Sequence, residues 1–183
     1  MDRELNLAAR GLKPLIEAAA LADRVATLGR AIAAEIPPGD LVVAGVLRGA
    51  FVFMADLVRA LPREHICDFL AVRSYGDATE SSGVVEITSD LSVPIEDKHV
   101  LLVEDIVDTG LTVKYLLKLL EARRPRSLRV AALLSKPSRR KVSVPIDFIG
   151  FEVPDVFVVG YGLDAGQRWR HLPYVAEYAP PAG

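Results

Sequence analysis

Val100-Leu-Leu-Val-Glu-Asp-Ile-Val-Asp-Thr-Gly-Leu-Thr112 is the stretch on which the reading of this chain turns. The apolar run from His99 to Val103 predicts a strand covered on both faces. Glu104 and Asp105 follow at its carboxyl end, and a turn of Asp108, Thr109 and Gly110 opens a helix predicted from Leu111 to Arg123. Backbone N–H groups at a helix start have no intrahelical partner. With the hydroxyls of Thr109 and Thr112 beside them, they make a ready phosphate cradle. Gly110 lets a ligand approach the backbone closely. Three carboxylates packed so near one another are costly unless a cation or a proton partner sits among them. The plainer reading is a capping turn, with Asp108 or Thr109 closing the helix and Glu104 and Asp105 facing water.

Outward from this stretch, apolar runs and helical patterns alternate. Residues 15–35 place Leu15, Ala19, Val25, Leu28 and Ile32 at near-helical spacing, and Pro37-Pro38-Gly39-Asp40 ends that helix. Leu41 to Leu47 is a bare apolar strand, residues 50–61 a helix, and Ile66 to Val72 a strand. Residues 74–83 are turn-formers almost throughout and read as an exposed loop, with a short strand from Val84 to Thr88 after it. Arg129 to Leu134, Phe148 to Phe151 and Phe157 to Val159 complete the strands. This alternation predicts an α/β fold with a mainly parallel, twisted sheet flanked by helices. Ligands in such sheets bind beyond the carboxyl ends of the strands, where Glu104 and Asp105 lie.

Composition narrows the function. The chain has 183 residues, 51% hydrophobic and 25% charged, with a net charge of -2, which excludes a disordered chain and predicts one domain spanning residues 1–183. A sequence pI near 5.9 argues against a dedicated nucleic-acid binder. Cys67 is the one cysteine, so no disulfide framework or cysteine-rich zinc site is expected; lying in an apolar strand pattern, it is expected to be buried. The longest stretch free of charge, Val156 to Leu163, is far short of the roughly 20 residues needed to span a bilayer. No secretory signal is visible, so a cytoplasmic location away from membranes is expected.

The central stretch resembles the phosphoribosyl-diphosphate (PRPP) motif of type I phosphoribosyltransferases. Its Glu-Asp-Ile-Val-Asp-Thr-Gly form is most similar to the hypoxanthine-guanine branch. The resemblance runs over roughly residues 25–178. Val46-Leu47-Arg48-Gly49-Ala50-Phe51 is similar to the family's diphosphate loop, where a peptide is held cis. Ser74-Tyr75-Gly76 through Ser81-Ser82-Gly83 resembles its mobile lid, about residues 74–85 here. Leu133-Leu134-Ser135-Lys136-Pro137 and Phe148 through Asp164 resemble its base-binding segments.

The resemblance implies the type I fold, with a small hood from the N- and C-terminal segments. It implies purine salvage, in which 5-phosphoribosyl passes from PRPP to N9 of hypoxanthine and of guanine, giving IMP or GMP and diphosphate. Asp108 is then the general base. Glu104, Asp105, Asp108, Thr109, Gly110, Leu111 and Thr112 hold PRPP and its 5′-phosphate, while Arg48, Gly49 and Arg170 hold the diphosphate. Lys136 meets the purine 6-oxo oxygen, Phe157 stacks on the ring and Val158 reads its edge. Ser74 and Tyr75 belong to the lid. Mg2+ is the implied cofactor, with Asp164, Glu104 and Asp105 as its carboxylates, and the family implies a homodimer or homotetramer. Ala165, where relatives often carry Tyr, and Ser135, where many carry Asp, depart from the pattern and bear on base preference and loop geometry. A catalytically silent PRPP-binding regulator and a transferase preferring xanthine remain alternatives.

Two other features carry less. Gly160-Tyr-Gly162-Leu-Asp-Ala165 formally fits a dinucleotide-binding pattern, but too little chain follows it for the required second strand and ribose-binding acid. The eight basic residues between Arg123 and Lys141 are interrupted by the strand Val130 to Leu134, so they read as solvated surface rather than as a nucleic-acid stripe.

Overall fold

The computed structural model describes residues 11–75 and 84–179. Alternating side chains build the main sheet. Along β2 (Leu41–Leu47) and β5 (His99–Val107), Val43, Leu101 and Val103 enter one core, while Val42, Ala44, Val100 and Leu102 enter the other. Side chains on a strand alternate faces, so an unbroken apolar run serves two cores at once. The first core is closed by α1 (Ala18–Glu35), through Leu21, Val25, Leu28 and Ile32, and by α2 (Phe51–Ala60), through Phe53, Met54 and Leu57. The second is closed by α3 (Leu111–Glu121), through Val113, Leu116, Leu117 and Leu120.

The strands of this sheet lie in the order β4-β3-β2-β5-β6-β7. Here β3 is Ile66–Tyr75, β4 Val84–Ser89, β6 Ser127–Ser135 and β7 Phe148–Glu152. All pairs are parallel except β3 with β4. From β2 the chain crosses to β3 on one side, then returns past β2 to place β5 on the other. The carboxyl ends of β2 and β5 therefore flank the point where the strand order reverses, the crevice in which open α/β sheets take ligands.

A second, three-stranded antiparallel sheet has the order β1-β9-β8, from β1 (Leu12–Ile16), β8 (Val158–Val159) and β9 (Val175–Tyr178). Leu12, Val159, Tyr174 and Ala176 form its own small core.

Four expectations are corrected here. The first helix begins at Ala18, not at residue 15, because Leu12–Ile16 is a strand with Pro14 at its irregular register and Leu15 turned outward. The strand at 157–159 belongs to the small sheet, not to the parallel one. β5 runs four residues past Val103, because its pairing with β6 continues through Glu104 to Val107. Cys67 is exposed: α2 packs over β2 and β5 and leaves the outward face of β3 uncovered, where Phe69 is also open.

Candidate active site

A cleft of about 260 Å3 opens at the reversal point. Arg48, Gly49, Glu104, Asp105, Asp108, Thr109, Gly110 and Thr112 line it, with Val46, Leu47, Val72 and Val113 among its apolar walls. β5 carries Glu104 and Asp105 within its last paired residues, and the turn after it carries Asp108 to Gly110. Gly110, at φ 84°, is the N-cap of α3 and has no side chain to cap it. Leu111 N–H makes only a long bond, 3.4 Å, to Thr109 Oγ1, so the first turn of α3 presents open donors to the cleft. The capping alternative does not hold for this turn.

Across the cleft the Leu47–Arg48 peptide is cis. Gly49 lies against the Asp105 carboxylate, and a Cβ added there would displace that side chain.

The two acids are not facing water. Glu104 is buried, and its Oε1 has no hydrogen-bond partner among the described residues. Burial first, and the adjacent Asp105 charge second, hold its pKa well above the usual carboxylate range. Burial likewise pushes Asp105 up to about 6. Backbone N–H donation and the nearby Arg170 guanidinium oppose that rise, and Asp164 adds to it. An unpartnered buried carboxylate is expensive. Its hard oxygens suit a divalent cation with a preference for oxygen ligands.

The remaining predicted residues surround the cleft rather than line it. Lys136 is buried at the end of β6, with its N–H bonded to Val107 O at 3.0 Å. Phe157 is 57% exposed, a large apolar ring left open, 6.2 Å from the Tyr178 ring. Val158 is buried beside it in β8. Asp164 pairs with Arg170 at 2.7 Å and accepts the Gln167 N–H at 2.7 Å, while Arg170 also donates to Gly162 O. Leu111 opens α3 just behind the cleft wall. Ser74 and Tyr75 end β3, paired with Val85 and Val84, so the strand reaches further than predicted; the rest of the expected lid, residues 76–83, lies outside the described residues. Among the described residues no three His, Cys, Asp or Glu side chains form a metal cage, so an ion here would draw its other ligands from a bound substrate.

Two contacts escaped sequence reasoning. Arg139 donates to Asp108 at 2.9 Å and reaches Asp155 at 3.2 Å, tying the acidic turn to the segment before β8. Its signal was slight: a basic residue three positions after Lys136, in a stretch read as solvated. Gln167 Oε1 accepts from Arg48 at 3.1 Å and from Arg170 at 3.2 Å, and no pattern in the sequence marks it.

Comparison with known proteins agrees with this geometry. Residues 14–165 match the family model described as "Phosphoribosyl transferase domain". A hypoxanthine phosphoribosyltransferase of Escherichia coli is 47% identical over 165 residues, covering 89% of this chain and 93% of its own. A hypoxanthine-guanine phosphoribosyltransferase of Bacillus subtilis is 44% identical over 168 residues, 92% of this chain and 93% of that one. The crystal structure of a hypoxanthine phosphoribosyltransferase from Staphylococcus aureus superposes with a TM-score of 0.90 at 38% identity, covering 94% of this chain and 95% of that chain. No helix among the described residues is long and apolar enough to cross a membrane.

Proposed function

The chain belongs to the phosphoribosyltransferase family, and from that premise we propose that it moves 5-phosphoribosyl from PRPP to N9 of hypoxanthine, and of guanine, releasing diphosphate. One observation carries the reading: the buried Glu104, with an unpartnered oxygen, and the half-buried Asp105 share a cleft with an uncapped helix start and with the Arg48–Gly49 loop. That is a site for a sugar carrying phosphate groups.

In this reading the N–H groups and hydroxyls of Thr109, Gly110, Leu111 and Thr112 bind the 5′-phosphate. Glu104 and Asp105 orient the ribose hydroxyls. Arg48, Gly49 and Arg170 take the diphosphate oxygens as charge develops on the leaving group. Asp164, Glu104 and Asp105 would hold Mg2+ on its protein side, and the bound ion would supply charge neutralisation for the departing diphosphate.

Asp108 accepts the proton at purine N7, and its ionised form also suits a cationic sugar. The Arg139 contact aims that carboxylate until a base arrives. Lys136 donates to the 6-oxo oxygen. Adenine, with an amino group there, would leave two donors face to face and be rejected. Phe157, an exposed ring, stacks on the base, with Val158 beside it. Residues 74–85, Ser74 and Tyr75 among them, act as a lid that keeps water from the ribose, and the small sheet is the hood. The exposed Phe51 ring, beside the groove that holds Arg170, gives a homodimer or homotetramer an apolar face.

A steady-state assay with PRPP and Mg2+, offering hypoxanthine, guanine, xanthine and adenine in turn, tests the reading. We expect turnover of hypoxanthine and guanine, and Asp108→Asn to lower kcat by about 10²–10⁴. Binding of PRPP without turnover of any base would instead identify a regulator, and turnover confined to xanthine would overturn the base assignment.

A further inference from the structure

The turn around Gln167 is built at a cost. Ala165 and Arg168 exchange both backbone hydrogen bonds, and the two residues between them, Gly166 and Gln167, have φ of 58° and 67°. Gly166 adopts that region freely, but Gln167 does not, and a side chain held there invites the question of what it gains. Its amide oxygen sits where two cations converge. Arg48 Nη1, from the loop after β2, and Arg170 Nη2, from the far side of the turn, both donate to Gln167 Oε1, while its own N–H is fixed by Asp164 Oδ2. Arg170 is held in turn by Asp164 and by Gly162 O.

We propose that Gln167 is a positioning residue for the diphosphate, its amide oxygen standing in for a ligand oxygen between Arg48 and Arg170. This rests on the reading above, in which those two arginines bind the leaving group. Two guanidinium groups brought together without an anion repel each other. A neutral acceptor between them keeps both aimed at one point without adding a charge that would compete with the ligand. An incoming diphosphate oxygen replaces the amide oxygen and finds its donors already converged. Glutamine suits the role better than glutamate, whose carboxylate would pair with both arginines and oppose the ligand's charge.

The test is calorimetric titration of the protein with Mg2+ and diphosphate, together with KM for PRPP, KM for hypoxanthine and Tm, for wild type, Gln167→Gly and Gln167→Glu. Glycine fits the backbone without strain, so Gln167→Gly should keep or raise Tm. It should weaken diphosphate about 3- to 10-fold, with KM for PRPP rising in parallel and KM for hypoxanthine moving less than about twofold. Gln167→Glu should weaken diphosphate further, about 10- to 100-fold. Wild type that binds diphosphate while both variants match it overturns this inference alone, leaving Gln167 a turn residue. Wild type that shows no diphosphate binding overturns the site assignment beneath it as well.

Discussion

The molecule buries carboxylates at two places in one sheet and treats them oppositely. Asp68, on β3, is enclosed by donors: the N–H groups of Phe69, Ser92 and Val93 and the Ser92 hydroxyl all point at it, at 2.7 to 3.2 Å. Burial alone would raise its pKa, and these donors together carry it below the usual value. Glu104, on β5, sits as deep but has no such shell: its Oε1 has no partner among the described residues, and the half-buried Asp105 beside it is met by backbone N–H donors alone. A satisfied acid holds a loop to a strand. An unsatisfied one waits on a ligand, and that contrast separates scaffold from site without reference to any relative.

Three measurements would sharpen the contrast or break it. The largest effect is expected from removing the charge of the two cleft acids. Glu104→Gln combined with Asp105→Asn should lower PRPP-dependent turnover by about 10²–10³, while the Tm of the ligand-free protein holds or rises. A fall in Tm with activity retained would mean that these acids serve the fold. Next comes Asp68→Ala, which strands several buried donors and should cost about 3 kcal/mol, read as a drop of roughly 6–12 °C in Tm. The kcat per folded molecule should stay near wild type; a large loss of turnover would erase the distinction between the two regions.

The smallest effect is in the pH dependence of the ligand-free protein. Burial raises the Asp105 carboxyl from its ordinary 3.8 to about 6 in the folded state. Between roughly pH 4 and 6 the native protein keeps a proton that the unfolded chain has released, so this group's contribution falls as pH rises through that window and is level above it. Asp68 runs the other way: its contribution is present above the ordinary aspartate range and is lost as pH falls through its depressed value. Asp105→Asn should therefore gain stability over wild type from pH 4 to 6, by less than about 3 kcal/mol, and hold that gain to pH 7. Denaturant unfolding at each pH reads it directly. A constant difference across the range would exclude Asp105 as the titrating group.

The main sheet was legible because doubly covered strands are continuous apolar runs, and the acidic turn because residues 104–112 are contiguous and their spacing has a local meaning. What escaped depends on partners distant in sequence. Reading β5 as ending at the first charge failed because β6 keeps pairing past Glu104. Residues 12–16 and 175–178 are short mixed stretches that become strands only by finding each other. Cys67 could not be placed without knowing which helix covers β3. The role of Arg139 beside Asp108, and of Gln167 between two arginines, exists only where three loops meet.

The small sheet also sets an order of events during synthesis. Leu12 pairs with Tyr178, so the earliest strand of the described chain waits for nearly the last before it has a neighbour. Closing so long a loop is slow compared with forming βα units from adjacent segments. A ribosome-bound chain can therefore assemble the parallel sheet and its acidic turn while the roof over them is still unmade. Such a nascent chain has the acidic turn and the uncapped start of α3 before Phe157 is docked in place.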